Sequence, residues 1–244
     1  MGEIIAVLSG KGGTGKTSVC AGISTAMAQA EYRVLCVDCD VGLRNLDISL
    51  GMSFDSVLSF QEAIREQSDA SCAAVHPVYP TLKFLTAPVN YTADQIDPVA
   101  FRAFLDRVER DFDYIFLDAP AGIEAGFHLA ARYADRVILV TGADPASIRD
   151  AGRAGEVLEL MKKTDVRMVV NRISPKLISA LDMTVDDIMD DAGLPLLGIV
   201  PEDPNVVLAA VAGEPLLQYT RRGAAAACRR IADRLRGKRV RLKI

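Results

Sequence analysis

The sequence predicts an α/β fold, a doubly wound and mostly parallel β-sheet with helices on both faces. Short apolar runs recur along nearly the whole chain, separated by helix-length amphipathic stretches. The runs are β-branched and apolar on both faces, which marks strands buried on two sides rather than one. No Pro/Gly/Ser-rich linker, repeat or low-complexity tract interrupts this alternation, so residues 1–244 read as a single domain with a basic tail from about residue 237.

In chain order, strands are expected at Ile4–Leu8, Val34–Asp38, Leu82–Ala87, Tyr114–Asp118, Val137–Thr141, Met168–Asn171 and Leu196–Val200. Helices are expected at Lys16–Gln29, Pro98–Arg110, Ala146–Lys163 and Val185–Asp191, among others. Strand–helix–strand order implies right-handed crossovers. Ligands of such sheets sit beyond the carboxyl ends of the strands. A glycine-rich loop follows the first of these ends, Asp40 and Gly-Leu-Arg-Asn-Leu-Asp the second. Ala119-Pro120-Ala121-Gly122 follows Asp118, and Asn171-Arg172 ends the sixth run.

The composition is that of an ordinary globular chain: 28 Lys and Arg against 32 Asp and Glu give a net charge of −4, and half the residues are hydrophobic. A disordered chain, a collagenous repeat and a uniformly basic nucleic-acid coat are excluded. Met1–Ala6 carries no basic n-region or cleavage site, and Ala6 stands where myristoylation wants Ser or Thr. No apolar run is long enough to span a bilayer. Five cysteines, an odd number scattered through apolar segments, suit buried thiols in a reducing cytoplasm. Cys36 and Cys39 have metal-motif spacing, but on a strand they point to opposite faces, so no metal is expected there. His76 and His128 are isolated, and Met161, Met168 and Met183 fit apolar faces as core residues.

Gly10-Lys11-Gly12-Gly13-Thr14-Gly15-Lys16-Thr17 matches the phosphate-loop pattern G-x-x-x-x-G-K-[ST], placed between a predicted strand and a predicted helix. Its glycines let successive backbone N–H groups turn toward phosphate oxygens, and the helix N-terminus adds partial positive charge. Lys16 would reach the β- and γ-phosphates, and the Thr17 hydroxyl would bind Mg2+. Asp118, ending an apolar strand, is placed to hold a water on that metal, although an Asp there also serves as a plain helix cap. Asp38 and Asp40 end the second strand in the same way; Asp40 is placed to orient an attacking water, and Asp38 to support the metal shell. Lys11 has two readings. It is either a solvated loop lysine or a charge that crosses a dimer interface to the partner's phosphate, as an arginine finger does.

Lys11-Gly12-Gly13-Thr14-Gly15-Lys16-Thr17 resembles the deviant Walker A motif of the MinD/ParA ATPases, a SIMIBI-class P-loop NTPase family. The run from Asp38 to Asp47 resembles switch I of its MinD branch, and Asp118 to Glu124 resembles switch II. Val170-Asn171-Arg172, Ile199-Val200-Pro201-Glu202-Asp203 and Gly213-Glu214-Pro215 match as well, so the resemblance covers roughly positions 1 to 236. It implies an ATP-hydrolysing dimerisation switch that places the division septum through reversible membrane association. In that scheme Lys11, Lys16 and Asp40 are catalytic. Thr17 binds Mg2+ directly, and Asp118 and Asp38 act through water. ATP or ADP lies along Gly10 to Thr17 and Ser18, with Asn171, Arg172, Pro201, Glu202 and Asp203 around the base. The implied partners are a second copy, a MinC-like cargo, a MinE-like or other activator, and an anionic membrane on the cytoplasmic side. Asp150 and its helix lie where partners contact family members. The resemblance leaves open another positioning role, such as FlhG-type flagellar number control or pilus placement, and a ParA-type DNA partition role. An iron–sulfur carrier would want a paired Cys-x-x-Cys near the carboxyl end, where only Cys228 stands.

From Arg221 onward ten basic residues stand beside one acid, Asp233, so the body before them carries the acidic excess. Val240, Leu242 and Ile244 alternate after Gly237, which is not the period of a helix that inserts into lipid. The six Lys and Arg from Arg234 onward would each contribute about 1 kcal/mol near an anionic leaflet. A solvated tail and a membrane contact both fit this pattern.

Overall fold

The computed structural model describes residues 1–41, 43–52, 57–174 and 184–243. Its elements begin with β1 (Glu3–Leu8), α1 (Lys16–Gln29), β2 (Val34–Asp38), α2 (Leu46–Leu50) and α3 (Phe60–Arg65). They continue with β3 (Ala74–Val75), β4 (Leu82–Leu85), α4 (Pro98–Val108), β5 (Tyr114–Asp118), α5 (Ala125–Tyr133) and β6 (Arg136–Thr141). The remainder is α6 (Pro145–Leu160), β7 (Val166–Ile173), α7 (Val185–Ala192), β8 (Leu196–Pro201), α8 (Asn205–Ala212), α9 (Leu216–Tyr219) and α10 (Gly223–Leu235).

The strands form one sheet in the order β3-β4-β2-β5-β1-β6-β7-β8. All neighbours are parallel except the short edge strand β3, which runs antiparallel to β4. All seven expected strands are present. β3, only two residues long, is too short to leave a pattern in the sequence. β4 stops at Leu85, two residues early, although Thr86 still bridges to Ser59. β7 runs past its apolar centre at both ends, taking in Arg167 and Arg172. Met183 lies outside the described residues.

Alternation along the strands builds two cores. Ile5 and Val7 of β1 face a layer made by α1, α2, α9 and α10, whereas Ile4, Ala6 and Leu8 face Phe101, Phe104 and Phe127 of α4 and α5. Burying each such aliphatic or aromatic side chain contributes roughly 1.5–3 kcal/mol relative to exposure. α1 is buried almost all round because it lies between the sheet and α10, which is why its sequence shows no polar stripe. Cys36 joins the first core and Cys39 the second, so the two thiols lie on opposite faces. His76 is buried, with Nε2 against the Leu50 carbonyl and Nδ1 accepting from the Val78 and Tyr79 N–H groups, while His128 is exposed.

α10 ends at Leu235, and Gly237 (φ +77°) turns the chain out of the helix. The segment that follows has no regular structure and folds back. Arg234 donates from Nε and Nη2 to the Val240 carbonyl, and Arg230 donates from Nη2 to that of Lys243. No helix among the described residues is long and apolar enough to cross a membrane.

Cys20, Cys36, Cys39 and Cys228 are buried, and only Cys72 is partly exposed. Burial also pushes the Cys36 and Cys228 thiols up to about 12, which withdraws the reactive thiolate. A thiol titration of the native protein with a disulfide reagent should therefore show one fast group, removed by Cys72→Ser, and four more only after unfolding. Two or more fast groups would contradict the packing described.

Candidate functional site

The site lies at the carboxyl edge of the central strands. β1 leads through Ser9 into the glycine loop, and Asp38 and Asp118 end the neighbouring strands β2 and β5 in direct register. Gly13 and Gly15 adopt left-handed conformations (φ +82° and +80°), and α1 begins at Lys16. This curls the loop's N–H groups into a cradle aimed at the helix N-terminus. A Cβ on Gly15 would stand 2.3 Å from Asn171 Nδ2. Gly10 has a different constraint: the Asp150 carbonyl of α6 would stand 2.3 Å from its Cβ, so α6 packs directly against the phosphate loop.

Lys16, only 6% exposed, places Nζ 2.7 Å from Asp118 Oδ1 and 3.3 Å from the Thr17 hydroxyl. Burial alone would lower the lysine's pKa, but the charge and hydrogen bond of Asp118 outweigh it and keep the ammonium protonated. Burial pushes Asp118 above the usual carboxylate range, and Lys16 pulls it back. Asp38 accepts from the N–H groups of Asp40 and Leu46, at 2.9 and 3.2 Å, and so shapes the start of the segment after β2. Burial, with the charge of Asp118 beside it, raises Asp38 to about 7. Asp40 is half-buried and raised by burial, with Lys16 opposing the shift. Asp118 Oδ2 and the hydroxyls of Ser9 and Thr14 are buried without a hydrogen-bond partner among the described residues. Buried polar atoms are almost always paired, so three orphans around one loop mark a place built to receive polar groups.

Lys11 points away from this cradle. Its side chain is 44% exposed, and Nζ stands 3.7 Å from Asp144 Oδ1 at the N-terminus of α6. The Ser147 hydroxyl, with Lys11 a smaller contributor, holds Asp144 below its ordinary value. The Asp118–Glu124 segment lies against the loop, where Gly122 donates from its N–H to the Ser9 carbonyl.

Beside the loop is a cavity of about 480 Å3. Gly15, Ser18, Asn171, Arg172, Pro201, Glu202 and Asp203 all line it, so the expected base-binding residues converge. Asn171 donates from Nδ2 to the Thr14 carbonyl at 2.7 Å, and Arg172 donates from Nη1 to that of Gly13 at 3.0 Å, which fastens β7 to the loop. Asp203 is committed to the scaffold: it accepts from Asn205 and from the Ala224 N–H at the start of α10. The cavity also has an apolar lining, from Val19, Val206, Leu216 and Cys228, beyond the residues that the sequence motifs mark. Val19 follows Lys16 by one helical turn and was within reach of pattern reasoning, but Leu216 and Cys228 arrive from distant elements and carry no local signal.

Gly15→Ala should test the cradle directly. A left-handed alanine costs about 1–2 kcal/mol, and the clash with Asn171 comes on top. Urea unfolding should show at least that loss, and a fluorescent-nucleotide titration should show affinity reduced at least tenfold. Unchanged affinity would remove the loop from ligand binding.

A family model described as the CobQ/CobB/MinD/ParA nucleotide binding domain matches residues 5–216. The septum site-determining protein MinD of Bacillus subtilis (strain 168) is 36% identical over 249 residues, covering 100% of this chain and 92% of its own. Among solved structures, the MinC:MinD cell division protein complex of Aquifex aeolicus matches with a TM-score of 0.91 and 34% identity, over 99% of this chain and 98% of that one. The septum site-determining protein MinD complexed with Mg-ADP from Pyrococcus horikoshii OT3 matches at 0.82 and 26% identity, over 96% of each chain. With its phosphate loop, paired strand-end aspartates and base-sized cavity, the chain belongs to the MinD/ParA family of nucleotide-binding ATPases, and its similarity is to the MinD proteins within it.

Proposed function

We propose that the chain acts as one ATPase domain with a basic tail, and that ATP drives it into a face-to-face dimer that hydrolyses the nucleotide. The observation that carries this reading is the division of labour between two lysines. Lys16 is buried inside its own cradle, whereas Lys11 stands outside it, half-exposed and held, among the described residues, only by a surface contact to Asp144. Such a contact is worth about 0–1 kcal/mol, so Lys11 is free to move to a phosphate on a partner subunit and to neutralise charge there as the γ-phosphate leaves.

The residues around the loop also fit Mg2+. Asp118 Oδ2 is an orphaned buried oxygen, and Thr17 and Asp38 complete an all-oxygen donor set, as a hard cation requires. In this proposal Thr17 binds the metal directly, and Asp118 and Asp38 hold its waters. The metal supplies charge neutralisation to the phosphates. Asp40 orients the attacking water. Asn171, whose amide keeps a second N–H and its oxygen for a base edge, recognises adenine. The Pro201–Asp203 loop closes over the ring.

Relatives named septum site-determining protein favour a MinD-type role over a flagellar or DNA-partition one. The MinC:MinD complex among the similar structures supports a MinC-like partner, and we extend the proposal to a MinE-like activator. We further propose that the ATP dimer gathers on the cytoplasmic face of the inner membrane, with the basic segment after Gly237 meeting anionic headgroups.

Lys11→Ala should remain folded but show no ATP-driven mass doubling by light scattering and no hydrolysis above background. Asp40→Ala should instead accumulate the ATP dimer. A Lys11→Ala protein that dimerises and hydrolyses normally would refute the trans role. Sedimentation with anionic vesicles should recover the protein with ATP but not with ADP, and a chain truncated after Gly237 should lose most of that binding. Equal recovery with both nucleotides would refute a nucleotide-controlled membrane contact.

A further inference from the structure

A second cleft, of about 360 Å3, opens where the loop after β2, the start of α3 and the segment after β4 meet. None of its lining residues lines the nucleotide cavity. Thr86, at its back, is 1% exposed and has its backbone fully used: its N–H donates to the Leu58 carbonyl, and its carbonyl accepts from the Phe60 N–H. Its hydroxyl, by contrast, is buried without a hydrogen-bond partner among the described residues. Gln61 Oε1, from a residue that lines the same cleft, is buried and equally unpartnered among the described residues. A lone orphan is a packing cost; two that share one cleft are a pair of unmade hydrogen bonds.

The charges around them say what would make those bonds. Arg44 and Arg65 border the cleft, and neither side chain has a hydrogen bond or ion pair with any described residue, although both positive charges contribute, after the Ser59 hydrogen bonds, to holding the Glu62 carboxyl low. Glu62 also borders it, but its Oε2 accepts from both the N–H and the hydroxyl of Ser59 in a capping box. Two guanidinium groups and a hydroxyl ask for an anionic oxygen, the Gln61 carbonyl asks for an N–H or O–H donor, and Val57 and Tyr91 supply apolar wall.

We propose that this cleft binds a small acid, with a carboxylate or phosphate held by Arg44, Arg65 and the Thr86 hydroxyl and an N–H or O–H donated to Gln61. Arg44 stands four residues after Asp40, in the segment whose start Asp38 holds. A ligand on Arg44 would therefore bias that segment, making the cleft an effector site. This consequence rests on the proposed role of Asp40; the binding itself does not.

The test uses protein saturated with ADP and Mg2+, so that the phosphate loop is filled, in an amide NMR titration. The two compounds titrated are inorganic phosphate and N-acetyl-L-aspartate, which carries carboxylates beside an amide N–H. Saturable shifts confined to residues 43–46, 57–65 and 86–91 are expected with at least one compound, and the tighter one identifies the oxyanion. Arg44→Gln should weaken binding about tenfold, the loss of one charge-assisted contact. Thr86→Val keeps the shape of the core and should weaken binding several-fold while ADP affinity is retained. No saturable shift with either compound, or titrations unchanged in both variants, would overturn the proposal. Because the readout is binding in the ADP state, a failed ATPase reading would leave this result unaffected.

Discussion

The contact between Lys16 and Asp118 ties the phosphate loop to the middle of the sheet. The loop leaves β1, Asp118 ends β5 beside it, and Asp38 ends β2 on the far side of β5. An ammonium and a carboxylate taken this far out of water pay a large desolvation cost, and removing one partner of such a pair typically costs about 3–5 kcal/mol. A pair of apolar residues would hold the same two elements together as well or better. Keeping the ions makes sense if both are needed for a ligand, because Lys16 stays charged where phosphate would lie and Asp118 keeps an oxygen unengaged.

The same arrangement concentrates negative charge. Asp38, Asp40 and Asp118 crowd one strand edge, and burial pushes all three up; the Asp118 charge adds to the rise at Asp38 and Asp40, whereas Lys16 pulls Asp118 back. Lys16 alone does not balance three carboxylates. A divalent cation does, and its arrival would bind the segment after β2, held by Asp38, to the loop after β5. Nucleotide state would then be read as the position of these two segments. The packing of Asp150 against Gly10 carries the loop's position outward to α6, where Asp144 meets Lys11.

Much of this was legible in the sequence, for physical reasons. The phosphate loop is a local motif whose glycines and lysine serve neighbouring atoms, and the parallel strands announce themselves by being apolar on both faces. Asp118 and Asp38 were readable as strand ends because the sheet's rule of ligands at carboxyl edges assigns them a place. Cys36 and Cys39 were separable by strand alternation alone. What stayed hidden depends on contacts between distant elements. Leu216 and Cys228 reach the cavity floor from α9 and α10. Asp203 turns out to be a fastener for the start of α10 rather than an unengaged base-binding group. The Lys11–Asp144 contact and the orphaned hydroxyl of Thr86 arise from packing across long separations in sequence, with no period or spacing to betray them.

In the proposed mechanism Asp118 serves Lys16 and a bound metal at once. The most direct measurement is ADP affinity with and without Mg2+ in the parent chain and in Asp118→Asn. Mg2+ should tighten ADP binding to the parent, and this increment should vanish in Asp118→Asn, while Mg-free affinity is kept or raised because Lys16 has lost its competing carboxylate. A full Mg2+ increment in Asp118→Asn would contradict the account.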